Sequence, residues 1–316
     1  MTMKFAVALM WVLPLVSHAA GLDCKKAATP VEKAVCADAE LGKLDAQVAS
    51  AYDAAIAQLS TRGRSLLRKG QRQWLGYRDS ACAGQEPNCL NNEYRLRLRD
   101  LQDAARHVGP FLFSRIDEFD ARRRDEEGRP VQIRVSAPRI DAPLSPAAVA
   151  WNAAMVGQMK PGLARDCESA GDEYDSFQVI GASKQMISVD HSAWAYCHGT
   201  PHGHGGTGSV NLLLTPKLHA MVLGDLFGHG DGWQQVLQDH SLKVLRAKND
   251  QVEFDEAQVR SVVTRLDHWT LSPDGLRITL NPYEVASYAF GNTEVIVPWA
   301  DLKPYLALNA PLPDAP

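Results

Sequence analysis

Residues 29–59 read TPVEKAVCADAELGKLDAQVASAYDAAIAQL, and their spacing is that of helices. Thr29-Pro30-Val31-Glu32 is a capping box with proline at the first helical position, so a short helix is expected to begin there. From Asp38 onward, apolar residues recur every three or four positions, which predicts an amphipathic helix with one buried face. These apolar residues are Leu41, Leu44, Val48, Tyr52, Ile56 and Leu59.

Two more helices are expected before residue 106. Gly63 and its polar neighbours interrupt the pattern, and apolar positions then resume in two further helical segments. The third helix carries Leu67, Trp74 and Tyr77, and the fourth carries Leu90, Tyr94, Leu98 and Leu101. Because the connections are short, residues 21–106 are predicted to form an all-α antiparallel helical bundle.

Composition places the chain among folded proteins of more than one domain. It has 316 residues, of which 45% are hydrophobic and 22% charged, so it can build real cores. The net charge of −4 provides no overall basic field for nucleic acid. Beyond the first twenty residues there is no apolar run long enough to span a membrane.

The first twenty residues resemble a signal peptide. Lys4 precedes the apolar run Phe5–Val16, and Ser17-His18-Ala19 supplies small residues for cleavage. We therefore expect residues 1–20 to be removed and the protein to be periplasmic or secreted, with no membrane span left. Disulfide bonds persist in such compartments, which gives the six cysteines a role.

The remainder of the chain divides into a linker and a second domain. Phe111–Phe119 is interpreted as a helical extension and the charge run Arg122–Glu127 as solvated, so residues 107–130 are predicted to form a charged linker. From Val131 the apolar period becomes two, and strands and helices do not alternate regularly. Residues 131–308 are therefore predicted to form an α+β domain with an antiparallel sheet, followed by a tail at 309–316.

Turn and period signals place the elements of this second domain. Ser272-Pro273-Asp274-Gly275 predicts a tight turn between two strands. Helices are expected at 146–159 and 232–246, and strands at 131–135, 177–181, 185–191, 193–198, 208–214, 218–222, 268–271, 276–281 and 293–297.

The cysteines of the bundle lie near predicted helix ends. Cys24, Cys36, Cys82 and Cys89 allow three disulfide connectivities, of which Cys24–Cys36 with Cys82–Cys89 is favoured. Zinc binding by these four is the alternative. The last two cysteines, Cys167 and Cys197, are expected to form a disulfide bond within the second domain.

Charge is distributed unevenly along the chain. Residues 21–106 carry 14 basic and 11 acidic residues, whereas residues 107–316 carry 18 basic and 26 acidic. An acidic cluster around Cys167 has two interpretations, a solvated loop or a contact patch for a basic protein. Its members include Asp166, Glu168, Asp172, Glu173 and Asp175.

A glycine-rich stretch contains three histidines within a span of seven residues. His198, His202 and His204 could bind zinc or copper, but no carboxylate or cysteine ligand is clearly placed beside them by spacing. We therefore predict an exposed loop and neither a metal nor another cofactor. Trp74 and Arg78, four residues apart on one helix, are interpreted as core packing with a cation–π contact.

A known pattern runs through the bundle. It comprises residues 23–36 (DCKKAATPVEKAVC), Leu41–Asp45 with Tyr52, and residues 71–79 (QRQWLGYRD) ending at Cys82, completed by Cys89, Tyr94 and Arg97. Over residues 23–103 the chain resembles the N-terminal domain of LprI-type lysozyme inhibitors. The resemblance implies a lysozyme inhibitor fold stabilised by these cysteines.

A second pattern covers residues 131–306. It comprises Tyr196 with His198–Gly206, Ser209–Leu212, Leu223–Phe227, Leu271–Leu276, Asn281–Ala286 (NPYEVA), Gly291 and Val295–Pro298. This part is similar to the C-terminal extracytoplasmic domain of RsiV-type anti-sigma factors, which sense lysozyme by binding it. With no sigma-binding region or membrane span recognised, an anti-sigma role is not implied.

Both resemblances point to an exported protein that binds lysozyme-like muramidases and could inhibit them. No nucleophile elbow, zinc-protease motif or P-loop is present, so we predict no enzyme activity. The alternatives are an envelope scaffold that binds peptidoglycan or metal, and a hydrolase using the three histidines. The candidate partner-binding residues are Glu168, Asp172, Glu173, Asp175, His198, His202, His204, Tyr283 and Glu284.

Overall fold

The N-terminal region is helical, as predicted. The computed structural model describes residues 21–84, 86–160, 162–168, 170–228 and 230–315, so the expected signal peptide lies outside the described residues. A 3₁₀ turn at Cys24–Lys26 precedes four helices. These are α1 (Pro30–Ala37), α2 (Ala39–Gln58), α3 (Thr61–Ala81) and α4 (Pro87–Gln102).

Side chains cap the first three helices. At α1 the Thr29 hydroxyl accepts a hydrogen bond from the Glu32 amide at 3.1 Å, and the Glu32 carboxylate accepts from the Thr29 amide at 2.9 Å. This confirms the predicted capping box. At α2 the Asp38 carboxylate accepts from the Glu40 and Leu41 amides, and at α3 the Ser60 hydroxyl accepts from the Gly63 amide. The helical structure is therefore interrupted at Ser60 and not at Gly63, which is buried within α3.

Three disulfide bonds join the cysteines. They are Cys24–Cys36, Cys82–Cys89 and Cys167–Cys197, the pairs that the sequence favours. Each bond of the bundle closes a short local loop, across α1 in one case and between the end of α3 and the start of α4 in the other.

A seven-stranded sheet follows the bundle. Its strands lie in chain order, and all neighbours are antiparallel except the parallel pair β3–β4. Helix α5 (Pro146–Gln158) makes the β3–β4 crossover and packs on β3. The strands are β1 (Ala105–Val108), β2 (Phe111–Asp120), β3 (Ile133–Ala142), β4 (Gly171–Ala182), β5 (Met186–Cys197), β6 (His204–Leu213) and β7 (His219–Ala220).

The last part of the chain forms a second, smaller layer. Its helices are α6 (Leu223–Leu226), α7 (Gly232–Lys248), α8 (Glu256–Val263) and α9 (Trp299–Leu302). Its antiparallel sheet has the order β10-β9-β8, formed by β8 (Trp269–Ser272), β9 (Gly275–Leu280) and β10 (Thr293–Pro298). The predicted turn joins β8 and β9. Trp233, Trp269 and Leu271 lie in the core shared with Met186 and Leu213 of the large sheet.

The interval 107–130 differs from the expected linker. The helical extension predicted for Phe111–Phe119 is wrong, because this segment is β2 and pairs with both β1 and β3. Phe111 and Phe113 are aromatic residues that favour strands. Strand β1 pairs with this segment in a tight hairpin, whereas β3 lies beyond the charge run, where local periodicity does not reveal it. The charge run after it forms no regular element apart from the bridge between Arg124 and Pro130. The boundaries between domains remain a prediction.

Candidate protein-binding surface

The three clustered histidines do not converge. His198 is buried at the end of β5, His202 is exposed, and His204 begins β6 opposite Ala195. Within the described parts of the chain, no group of three or more histidine, cysteine or acidic side chains could hold a metal ion. The histidine spacing therefore does not translate into a common set of ligands.

Three of the four predicted acidic contact residues are buried. Asp172 accepts a hydrogen bond from the Gln132 amide at 2.8 Å, Glu173 accepts from the Gly162 amide, and Asp175 lies 2.5 Å from the His191 ring nitrogen. Only Glu168 is exposed. This corrects the expected acidic patch: placing the segment in β4 turns Glu173 and Asp175 inward with Phe177 and Val179, the period-two pattern of a strand.

His198 joins the charged segment after β2 to β4. Its Nδ1 lies 2.7 Å from the Asp125 carboxylate and its Nε2 lies 3.1 Å from that of Asp172. Arg129 donates to Asp125 as well, through its side chain and its amide. Desolvation raises the pKa of Asp125, but the hydrogen bonds from Arg129 and His198 lower it by more. The net pKa lies well below its ordinary value. His198 is therefore a buried structural contact rather than an exposed partner-binding residue.

Two loops present a cluster of exposed rings, which we call the aromatic patch: His202, Tyr283 and Tyr288. The His202 ring stacks on Tyr288 with centroids 5.1 Å apart, and Tyr288 lies 5.5 Å from Tyr283. Tyr283 is 67% exposed and Tyr288 43% exposed. Exposed aromatic clusters of this kind are typical of protein interfaces, where tyrosine supplies a large contact area at small entropic cost.

The backbone at Tyr283 is strained. Its φ is +69°, and it is the one non-glycine residue with positive φ among the residues described. A bulky residue in this region costs about 1–3 kcal/mol and persists only where its surroundings enforce it. Such strain concentrates at functional sites.

Polar contacts hold the loop of Tyr283 in place. The Asn281 side chain accepts from the Thr207 amide at 2.7 Å and donates to the Thr207 carbonyl at 2.9 Å, which ties the loop to β6. The Glu284 carboxylate accepts from the Asn281 amide at 2.7 Å and lies 3.3 Å from the His268 ring. Glu284 therefore contributes to the aromatic patch indirectly, by holding the loop that carries Tyr283. Tyr288 and Asn281 were missed as site residues, although both fall within or beside the NPYEVA motif.

In the bundle, the interpretation of Trp74 and Arg78 is confirmed. The guanidinium carbon of Arg78 lies 5.5 Å from the Trp74 ring centroid and 5.6 Å from that of Tyr94, and Trp74 is buried. Arg78 also donates to the Tyr94 hydroxyl at 2.7 Å, and that hydroxyl donates to Asp45 at 3.0 Å. The residues of the QRQWLGYRD motif that carry this network thus support the core.

Two features bear on where the protein acts. Disulfide bonds are typical of proteins outside the cytoplasm, and three are present here. Across the described ranges, no helix has the length and apolar character needed to cross a membrane.

Comparison with known protein families finds two domains, in the expected order. Residues 24–101 match the family "Lysozyme inhibitor LprI", and residues 224–300 match "Protein of unknown function (DUF3298)", which is the RsiV-like C-terminal domain. Both resemblances are thereby confirmed over these ranges. Homology to a lysozyme inhibitor favours a non-enzymatic protein.

Similar proteins match only part of the chain. Lipoprotein LprI of Mycobacterium bovis and of Mycobacterium tuberculosis are each 35% identical over 102 residues, 31% of this chain and 50% of theirs. An uncharacterized protein of Rhizobium meliloti is 30% identical over 73 residues, 19% of this chain and 52% of its own. The chain thus matches about half the length of these relatives.

Two crystal structures of DUF3298 family proteins are similar to the chain at 17% identity. One, from Pseudomonas aeruginosa, has a TM-score of 0.47 over 65% of this chain and 98% of its own. The other, from Bacteroides fragilis, has a TM-score of 0.44 over 65% of this chain and 96% of its own.

Proposed function

We propose that this protein, which joins an LprI lysozyme inhibitor domain at residues 24–101 to a DUF3298 domain at residues 224–300, binds and inhibits lysozyme-type muramidases in the periplasm. The two domains support this function independently, because one matches a family of lysozyme inhibitors and the other is RsiV-like. The carboxylate excess of residues 107–316 favours a basic partner through electrostatic steering.

Tyr283 carries the proposal. It is the more exposed of the two tyrosines of the aromatic patch, and its loop is held to β6 through Asn281. A rigidly held aromatic side chain loses little entropy on binding, so it can insert into a cleft of the partner. A muramidase cleft that is occupied in this way cannot accept its polysaccharide substrate.

The test measures binding of the mature chain to c-type, g-type and i-type lysozymes by surface plasmon resonance. Tyr283→Asn removes the ring, and asparagine tolerates positive φ, so the loop conformation is retained. We expect this variant to lose about tenfold or more in affinity for the lysozyme class that binds. Tyr283→Phe keeps the ring and should bind within about threefold of wild type.

Matched variants decide which domain binds. Leu75 is the exposed apolar residue of the QRQWLGYRD motif in α3, so Leu75→Glu tests a surface of the bundle without changing a buried group. Val149→Asn, at an exposed position of α5, controls for a general loss of surface apolar area. If Leu75→Glu abolishes binding and Tyr283→Asn does not, the bundle binds instead. Failure of wild type to bind any of the three classes contradicts the proposed function.

A further inference from the structure

A cleft between the helical bundle and the large sheet has a lining that includes none of the residues of the aromatic patch. Its volume is about 230 Å³. Leu96 and Asp100 of α4 form one wall, and residues of β2, β3, β4 and β5 form the other. This volume is below the roughly 300–1,000 Å³ of pockets for drug-sized ligands, so the cleft suits a single small ring.

One row of the sheet gives the cleft an aromatic floor. Arg134, Tyr174 and Trp194 lie side by side on three adjacent strands. The Tyr174 and Trp194 ring centroids are 5.4 Å apart, and Trp194 remains 39% exposed. The indole also lies against Gly203, where a Cβ atom would come within 2.2 Å of the ring. The ring is thus held in place and still partly open to solvent.

The next row supplies hydroxyl groups. Ser136, Ser176 and Ser192 are neighbours on the same three strands, two positions along from the aromatic row. All three line the cleft. Within the part of the chain that the structure describes, none of these three hydroxyls makes a hydrogen bond to another protein group. They are therefore free to donate to, and accept from, a ligand.

The charged side chains of the cleft are already paired. Arg115 contacts Asp100 at 3.2 Å, Arg134 contacts Glu93 at 2.5 Å, and Asp175 contacts His191 at 2.5 Å. An ionic ligand would have to compete with these pairs, whereas a neutral one leaves them intact. A purely aliphatic ligand would cover the serine hydroxyls without satisfying them, at a cost of about 1–3 kcal/mol for each buried group.

We propose that this cleft binds one ring of a neutral saccharide. A pyranose has a face of C–H groups, which would lie on Trp194 and Tyr174, and a rim of hydroxyls, which would bond to the three serines. The site shares no lining residue with the aromatic patch, so it adds a second ligand to the proposed function.

The test titrates the mature chain, without lysozyme, with glucose, galactose and N-acetylglucosamine and follows amide and indole signals by NMR. A single ring held at ordinary ligand efficiency should bind with a Kd of about 1 mM. Trp194→Ala should weaken the binding about tenfold or more. Ser176→Val, at an exposed strand position where valine is well tolerated, should weaken it about threefold to tenfold.

Thr207→Val is the matched control, because Thr207 neighbours Ser192 on β6 but does not line the cleft. Its affinity should equal that of wild type. Saturable binding of one sugar that is weakened by both cleft variants and unchanged by the control supports the proposal. Absence of binding by all three sugars up to about 20 mM, or binding unaffected by both cleft variants, overturns it.

Discussion

Asp125 illustrates why the burial of single residues could not be predicted from the sequence. It lies within the charge run Arg122–Glu127, and such runs are usually solvated. Its carboxylate is nevertheless buried against His198, a partner 73 positions away that only the fold brings near. The same limitation affected Asp172, Glu173 and Asp175, where the strand register turned an apparent acidic patch inward.

The lowered pKa of Asp125 predicts a pH-dependent contribution to stability. A carboxyl whose pKa is lower in the folded than in the unfolded chain stabilises the fold above its unfolded pKa, about 3.9, and loses this contribution as pH falls through the folded value. The free energy of unfolding should therefore fall more for wild type than for Asp125→Asn between about pH 5 and pH 2. Urea denaturation at both pH values measures the difference.

Glu126→Gln is the control for this experiment. Glu126 is the exposed neighbour of Asp125 in the same charge run. Its substitution should leave the pH dependence close to that of wild type. Equal slopes for wild type and Asp125→Asn would show that the buried contact with His198 does not contribute to stability.

Local signals predicted the helices of the bundle well. The capping box at Thr29, the apolar spacing of α2 and the SPDG turn between β8 and β9 each depend on residues a few positions apart, so sequence alone could specify them. Strand β2 is the opposite case. Its pairing with β3 places Phe119 opposite Arg134, on the other side of the charged segment. The local spacing of apolar residues gives no information about such a contact.

The capping box of α1 gives a prediction about an element. Thr29→Ala removes the oxygen that accepts from the Glu32 amide, so the free energy of unfolding should fall by about 1 kcal/mol. Thr29→Ser keeps the oxygen and should cost no more than a few tenths of a kcal/mol. Thermal or urea denaturation of both variants under oxidising conditions checks this. Equal losses for alanine and serine would argue that the cap is not formed.

At the scale of the whole molecule, the bundle and the large sheet share a polar interface. Ser60 donates to Asp141 through its amide at 2.6 Å and its hydroxyl at 2.7 Å, and the Tyr77 hydroxyl donates to Gln132 at 2.6 Å. Gly70 of α3 permits the close approach, since a Cβ atom there would lie 3.1 Å from the Cβ of a β2 residue. Two domains were predictable from the change of period at Val131, but this interface was not.

One ion pair at this interface is fully enclosed. Arg97 of α4 donates to Asp117 of β2 at 2.8 Å, and their side chains are 0% and 2% exposed. Burial raises the pKa of Asp117, but Arg115 and Arg97 lower it by more, so the carboxylate remains charged. Removing Arg97 takes away one of the two arginines that hold this buried carboxylate, the other being Arg115 at 3.2 Å. The integrity of the bundle and of the sheet should therefore depend on the same contact.

Because Asp117 keeps its pair with Arg115, Arg97→Met is expected to lower the free energy of unfolding by about 2–3 kcal/mol. Arg95→Met is the matched control on the same helix: its pair with Glu40 is exposed, so the loss should stay below about 1 kcal/mol. Because Arg97 links α4 to β2, hydrogen exchange in the Arg97 variant should accelerate in both elements together. Acceleration confined to α4, or a loss no larger than that of the control, would mean that the bundle and the sheet are stabilised separately.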